Sequence, residues 1–227
     1  MNDESIKKSQ ADYYGDLFKK FNFSPEAVAS GKQIYKDLRY EKLSKVFDGD
    51  GCFSLHDVGM GLGHYHEYLL QKFPEKNIQY SGSEVVEDFY TFCKEKYPDR
   101  QFYLRDLSAS APDDRYDYLV FGGTFYHMCG IPRKDWEKYI FKMIRNAFTM
   151  AKKGIAFNFI TEFCDFYEKE LYYCNIQKLL NFITDDLSRF FIIDHAYPLY
   201  ELTMYVYKEA IVKDRYPEQD FQKYYKF

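Results

Sequence analysis

From about Cys52 onward, apolar and polar positions alternate between two patterns. Short apolar runs predict strands over Cys52–Val58, Ile78–Ser83, Gln101–Leu104, Tyr116–Phe121 and Ile155–Ile160. Longer amphipathic stretches predict helices over Tyr65–Phe73, Val85–Tyr97 and Asp135–Lys152, the last stopped by Gly154 behind the cations Lys152 and Lys153. Strand and helix in alternation imply right-handed βαβ crossovers, hence a mostly parallel sheet covered by helices on both faces. In the last third, Asn175–Leu187 reads as a helix, then Phe190–Ala196 and Leu202–Lys208 as strands. Their link, Tyr197-Pro198-Leu199-Tyr200, is too short for a parallel crossover, so the last strand is expected antiparallel. Ahead of the first strand, Asp12–Phe21 and Gln33–Phe47 read as helices separated by Ser24-Pro25-Glu26, where Ser24 suits an N-cap and Pro25 a first helical turn. The expected fold is α/β: a doubly wound seven-stranded sheet, mostly parallel with an antiparallel last strand, plus N-terminal helices. One domain is expected over 1–227, with 1–50 as a helical cap or lid, 51–210 as the core and 211–227 as a tail.

Composition narrows the function classes. With 227 residues, 46% of them hydrophobic, the chain can bury one sizeable core. Lys+Arg 31 against Asp+Glu 35 leaves a net charge of −4, which argues against a nucleic-acid partner because phosphates call for a clustered basic face. No apolar run approaches bilayer length, so no membrane partner is expected. The opening MNDESIKKSQADYY carries charges where a signal peptide needs an apolar stretch, and a cytoplasmic location is expected. Five scattered cysteines without a CxxC pair read as reduced, buried thiols. The 24 Tyr and 22 Phe are spread along the whole chain and read mainly as core.

The chemistry concentrates in Asp57-Val58-Gly59-Met60-Gly61-Leu62-Gly63-His64, where a strand ends and a helix begins. Glycines there permit tight turns and close backbone approach to a ligand, and the helix start offers unpaired N–H groups. A dinucleotide loop, G-x-G-x-x-G, needs glycine at position 64, which is His64. The acidic-x-Gly-x-Gly-x-Gly arrangement instead resembles motif I of the class I S-adenosylmethionine (SAM) methyltransferases, whose fold is Rossmann-like.

Further residues match that family in order. Glu84 ends the second strand, where the resemblance implies a carboxylate on the ribose hydroxyls. Asp106 and Leu107 follow the third strand, where the family places an acid against the adenine amino group. Gly122-Gly123-Thr124-Phe125 follows the fourth, where Gly122 allows close passage of the cofactor. The resemblance covers roughly 50 to 208. At both ends, Ala11–Phe18, Arg39-Tyr40 and Tyr197–Tyr207 are similar to a bacterial subgroup of small methyltransferases found among genes for surface polysaccharides and specialised metabolites. What this implies is SAM as cofactor and methyl transfer to oxygen of a small polar acceptor, a sugar or polysaccharide precursor, by a monomer or homodimer. An amine acceptor, a nucleic-acid acceptor and a non-catalytic SAM-binding module stay open as alternatives.

A hydroxyl acceptor needs a general base. His127, just after the fourth strand, is the candidate; the competing reading is a loop histidine satisfied by backbone. Glu162, just past the fifth strand, is a second candidate at the active edge. Tyr14 and Arg39 are candidates to close over the cofactor, Arg39 by pairing with its carboxylate. His56 reads as structural, as do His66 on the first helix after the glycines and His195 in the sixth strand; His64-x-His66 has the wrong spacing for two ligands on one helical face, so no metal site is expected.

Overall fold

The computed structural model describes residues 1–22, 27 and 31–225, so the Ser24-Pro25-Glu26 break lies outside the described residues. The strands are β1 (Cys52–Val58), β2 (Asn77–Glu84), β3 (Gln101–Leu104), β4 (Tyr116–Phe121), β5 (Ala151–Thr161), β6 (Tyr173–Cys174), β7 (Phe191–Asp194) and β8 (Glu201–Tyr207). They form one sheet in the order β3-β2-β1-β4-β5-β8-β7, with the two-residue β6 also pairing β5. β8 runs antiparallel to both β5 and β7, and the other pairs are parallel. The short β6 is the eighth strand and carries too little pattern to be read from sequence.

Side chains alternate across the sheet with period two, so each strand feeds two cores. Leu119 and Phe121 of β4, Phe157 and Phe159 of β5, and Leu202 and Met204 of β8 face one side. There they meet Trp136, Ile140 and Ile144 of α5 (Arg133–Met150) and Leu179 and Ile183 of α6 (Ile176–Asp186). Val120, Ala156 and Tyr205 face the other side, against Leu43 of α2 (Gln33–Ser44), Val46 and Phe47 of the following 3-10 turn (Lys45–Phe47), and Leu69 of α3 (His64–Lys72). Much of the aromatic content is core: Phe125 stacks on Phe159 at 5.1 Å, and Trp136 is fully buried with Nε1 donating to the Phe125 carbonyl.

Two boundaries differ from expectation. Helix α1 starts at Asp3, not Asp12, because Asn2 accepts from the Ser5 N–H and Asp3 and Glu4 suit the positive end of the helix dipole. Helix α5 stops at Met150, and Gly154 lies within β5 instead of capping a helix. A Cβ at Gly154 would stand 2.8 Å from the Val206 carbonyl of β8, so glycine lets those strands approach. Lys152 and Lys153 belong to the strand, where Lys153 pairs with Asp50 at 2.7 Å.

Candidate functional site

Strand order reverses between β1 and β4, so the crossovers leaving them diverge to opposite faces and open a crevice at their C-terminal ends. Gly59–Leu62 forms one wall and Gly122-Gly123-Thr124 the other. The end of β2 contributes Ser83, Glu84 and Val85; Arg105 and Leu107 follow β3; Tyr139 and Met143 come from α5. Two helices roof the cleft, α1 (Asp3–Phe21) with Gln10 and Tyr14, and α2 with Lys36, Arg39 and Tyr40. The space is about 1060 Å³ with its open mouth included, at the upper end of small-molecule sites.

The loop's backbone conformation dictates its glycines. Gly59, Gly61 and Gly63 have φ of +74°, +54° and +76°, which L side chains adopt only with strain. A Cβ on Gly59 would also lie 2.7 Å from the Thr124 methyl, whose hydroxyl donates to the Val58 carbonyl. Glu84 gathers three backbone donors: Gly61 N–H on one oxygen at 2.9 Å, and Val85 and Val86 on the other. Burial raises its carboxyl, and these three bonds pull the other way.

Polar atoms inside the cleft wait for partners. The Nε2 of Gln10 and the hydroxyl of Tyr139 are buried without a hydrogen-bond partner. An unpaired buried donor costs about 1–3 kcal/mol, so two such groups lining one cavity mark a place for a ligand with polar edges. Lys36, only 4% exposed, stands with Nζ 3.4 Å from His64 Nδ1 beside the glycine loop. Burial and that ammonium drive His64 down to about 4, so the ring is neutral and adds no charge. His127 is half-buried, and its ring stacks on Tyr13 at 5.6 Å. Burial lowers its pKa, and among the described residues its ring nitrogens have no hydrogen-bond partner.

No protein-family model matches the chain. A Mycobacterium tuberculosis protein named as a methyltransferase is 26% identical over 169 residues, covering 73% of this chain and 99% of that protein. Malonyl-(acyl-carrier protein) O-methyltransferase 2 of Ilyobacter polytropus is 26% identical over 83 residues, 35% of this chain; the match spans only 31% of that relative's length. Among solved structures, SAM-bound magnesium protoporphyrin IX methyltransferase of Synechocystis PCC 6803 superposes with a TM-score of 0.60 at 16% identity, covering 92% of this chain and 98% of that one. A TehB-like SAM-dependent methyltransferase of Corynebacterium glutamicum gives 0.56 at 14% identity, covering 88% and 100%. The fold is that of the class I SAM-dependent methyltransferases.

Within this methyltransferase fold, Tyr14, Arg39, Gly59, Gly61, Glu84, Leu107, Gly122 and His127 are brought together on the cleft. Asp57, Gly63, Asp106 and Glu162 do not line it. Asp57 lies buried behind the loop, its carboxyl accepting from Tyr80 at 2.8 Å and pushed up to about 7 by burial. Gly63 caps α3. Asp106 spends both oxygens on Ser108, one on its N–H and one on its hydroxyl. Glu162 is held outside by the Asn175 amide at 2.9 and 3.0 Å, which corrects its expected place at the active edge. Arg39 reaches the cleft, yet its guanidinium already grips Glu201 at 2.5–2.9 Å, so pairing with a cofactor carboxylate is corrected too.

The other histidines have structural partners. His56 lies between the Ser81 and Ser83 hydroxyls, and His66 stacks on Tyr80. His195 falls just beyond β7, where its ring meets Thr161. Gln10, Lys36 and Tyr139 escaped the sequence reading, because nothing local distinguishes them from surface or core residues on amphipathic helices. Only the packing of α1, α2 and α5 brings them to one cavity.

Proposed function

We propose that this chain is a SAM-dependent methyltransferase that methylates an oxygen of a small polar acceptor, a sugar or a surface-polysaccharide precursor. The observation that carries the oxygen reading is His127: a neutral imidazole at the Gly122-Gly123 edge, free of hydrogen bonds among the described residues. SAM, when bound, supplies an electrophilic methyl on a sulfonium. Gly59 and Gly61 give it close backbone approach, Glu84 is the carboxylate for the ribose, and Lys36 supplies the cation for the amino-acid end. A nitrogen of His127 takes the acceptor hydroxyl's proton as the methyl leaves sulfur, which asks for a base that is unprotonated near neutrality. Tyr13, stacked on it, fixes the ring plane. Residues 1–50 serve as a lid, since α1 and α2 roof the cleft, and 211–227 as a tail.

An amine acceptor is the second reading and needs no base, so His127 separates the two. Titration with SAM, S-adenosylhomocysteine (SAH) and NADH comes first; adenosyl ligands alone should bind, and NADH binding would overturn the cofactor. His127→Ala should then slow methylation of a sugar hydroxyl about a hundredfold while leaving SAH affinity intact. Unchanged turnover would remove the base and favour nitrogen.

A further inference from the structure

We propose that Gln10 of α1 reads the adenine edge of the cofactor, in the place where Asp106 was expected. The inference rests on the SAM reading above and assigns a binding residue to the same cleft.

Helix α1 is a strap across the site. Its start is tied to α5 by Lys142–Asp3 at 2.7 Å and by the chain terminus on Asp135 at 2.8 Å. Its far half packs Tyr14 and Phe18 on Phe89 of α4 (Glu87–Lys96). Between these anchors stands Gln10, 6% exposed, its Nε2 without a hydrogen-bond partner and its side chain lining the cleft. An amphipathic helix buries apolar residues on its inner face, so a buried orphaned amide there is a cost the chain alone does not recover.

The surroundings define what would meet it. Leu107, Phe89 and Met143 give this end of the cleft apolar walls suited to a flat base, next to Glu84. A carboxamide carries a donor and an acceptor in one plane, matching a purine ring nitrogen and the neighbouring amino group. Asp106 is a poor rival because both its oxygens are engaged by Ser108 and it does not line the cleft. Ligand and lid are thereby coupled: the base completes the hydrogen bonding of α1.

The test is a double-mutant cycle read by calorimetric titration. SAH and its analogue with purine in place of adenine, lacking only the amino group, are titrated into the wild-type chain and Gln10→Leu, which keeps the side-chain volume. Wild type should bind the analogue about tenfold more weakly than SAH, and Gln10→Leu should bind both equally weakly. Asp106→Asn should retain the tenfold preference. Equal preference in wild type and Gln10→Leu overturns the assignment, as does loss of preference in Asp106→Asn alone. Melting curves separate misfolding from lost contact: Gln10→Leu should melt no lower than wild type, since an orphan donor is removed. If wild type binds no SAH at all, the cofactor reading itself fails and takes this inference with it.

Discussion

Asp57 ends the reach of β1 toward the glycine loop with its carboxyl out of water and the Tyr80 hydroxyl upon it. Desolvation lifts it to about 7, against an ordinary value near 3.9. The folded chain therefore holds a proton there that the unfolded chain has released, and stability falls as pH rises from about 4 through about 7. The buried histidines run the other way. His64 and His66, both depressed to about 4 by burial, stay neutral in the folded chain, so stability is lost as pH falls from about 6.5 toward 4. Asp57→Asn keeps an acceptor for Tyr80 and removes only the first slope. The variant's stability advantage should grow by a few kcal/mol between pH 4 and 7 and then level off. Urea unfolding of both proteins across that range checks it, and a pH-independent difference would mean that Asp57 ionises freely in the folded state.

At the scale of elements, the sequence is most legible where a strand is short and bounded by turns. The expected limits of β1, β3 and β4 coincide with the observed ones. The α5–β5 junction is where pattern reading fails, since Lys152-Lys153-Gly154 satisfies a helix stop and a strand start equally well. What decides is distant: β8 lies alongside, with Gly154 opposite Tyr207 and its own α-carbon facing the Val206 carbonyl. Gly154→Ala tests this directly. The added carbon meets backbone at 2.8 Å, so the strands must part, costing about 1–3 kcal/mol and lowering the melting temperature by roughly 3–10 °C. SAH affinity should be unchanged, because the glycine lies away from the cleft lining. An unshifted melting curve would show that β8 moves aside without cost.

Across the whole molecule, the first fifty residues are held by the last thirty-five. Arg39 of α2 binds Glu201 through Nε and Nη2, Tyr126 donates to the same carboxylate at 2.6 Å, and Lys42 pairs with Asp194 at 2.8 Å. The roof of the site is thus bolted to the antiparallel β7–β8 hairpin, a link no local pattern discloses. This is why the glycine loop and Glu84, which share neighbouring strands, could be read in the sequence while the engagement of Arg39 could not. Glu201 is 4% exposed, and removing it strands a buried guanidinium. Glu201→Ala should therefore cost about 3–5 kcal/mol, whereas Glu201→Gln, which still accepts from Arg39, should cost less. Because α2 carries Lys36, Arg39 and Tyr40 into the cleft, both variants should also weaken SAH binding, Ala more than Gln. Denaturant unfolding and SAH titration on the same samples distinguish a lid fastened through the hairpin from one that rests on apolar contact alone. In the second case stability would fall and affinity would not.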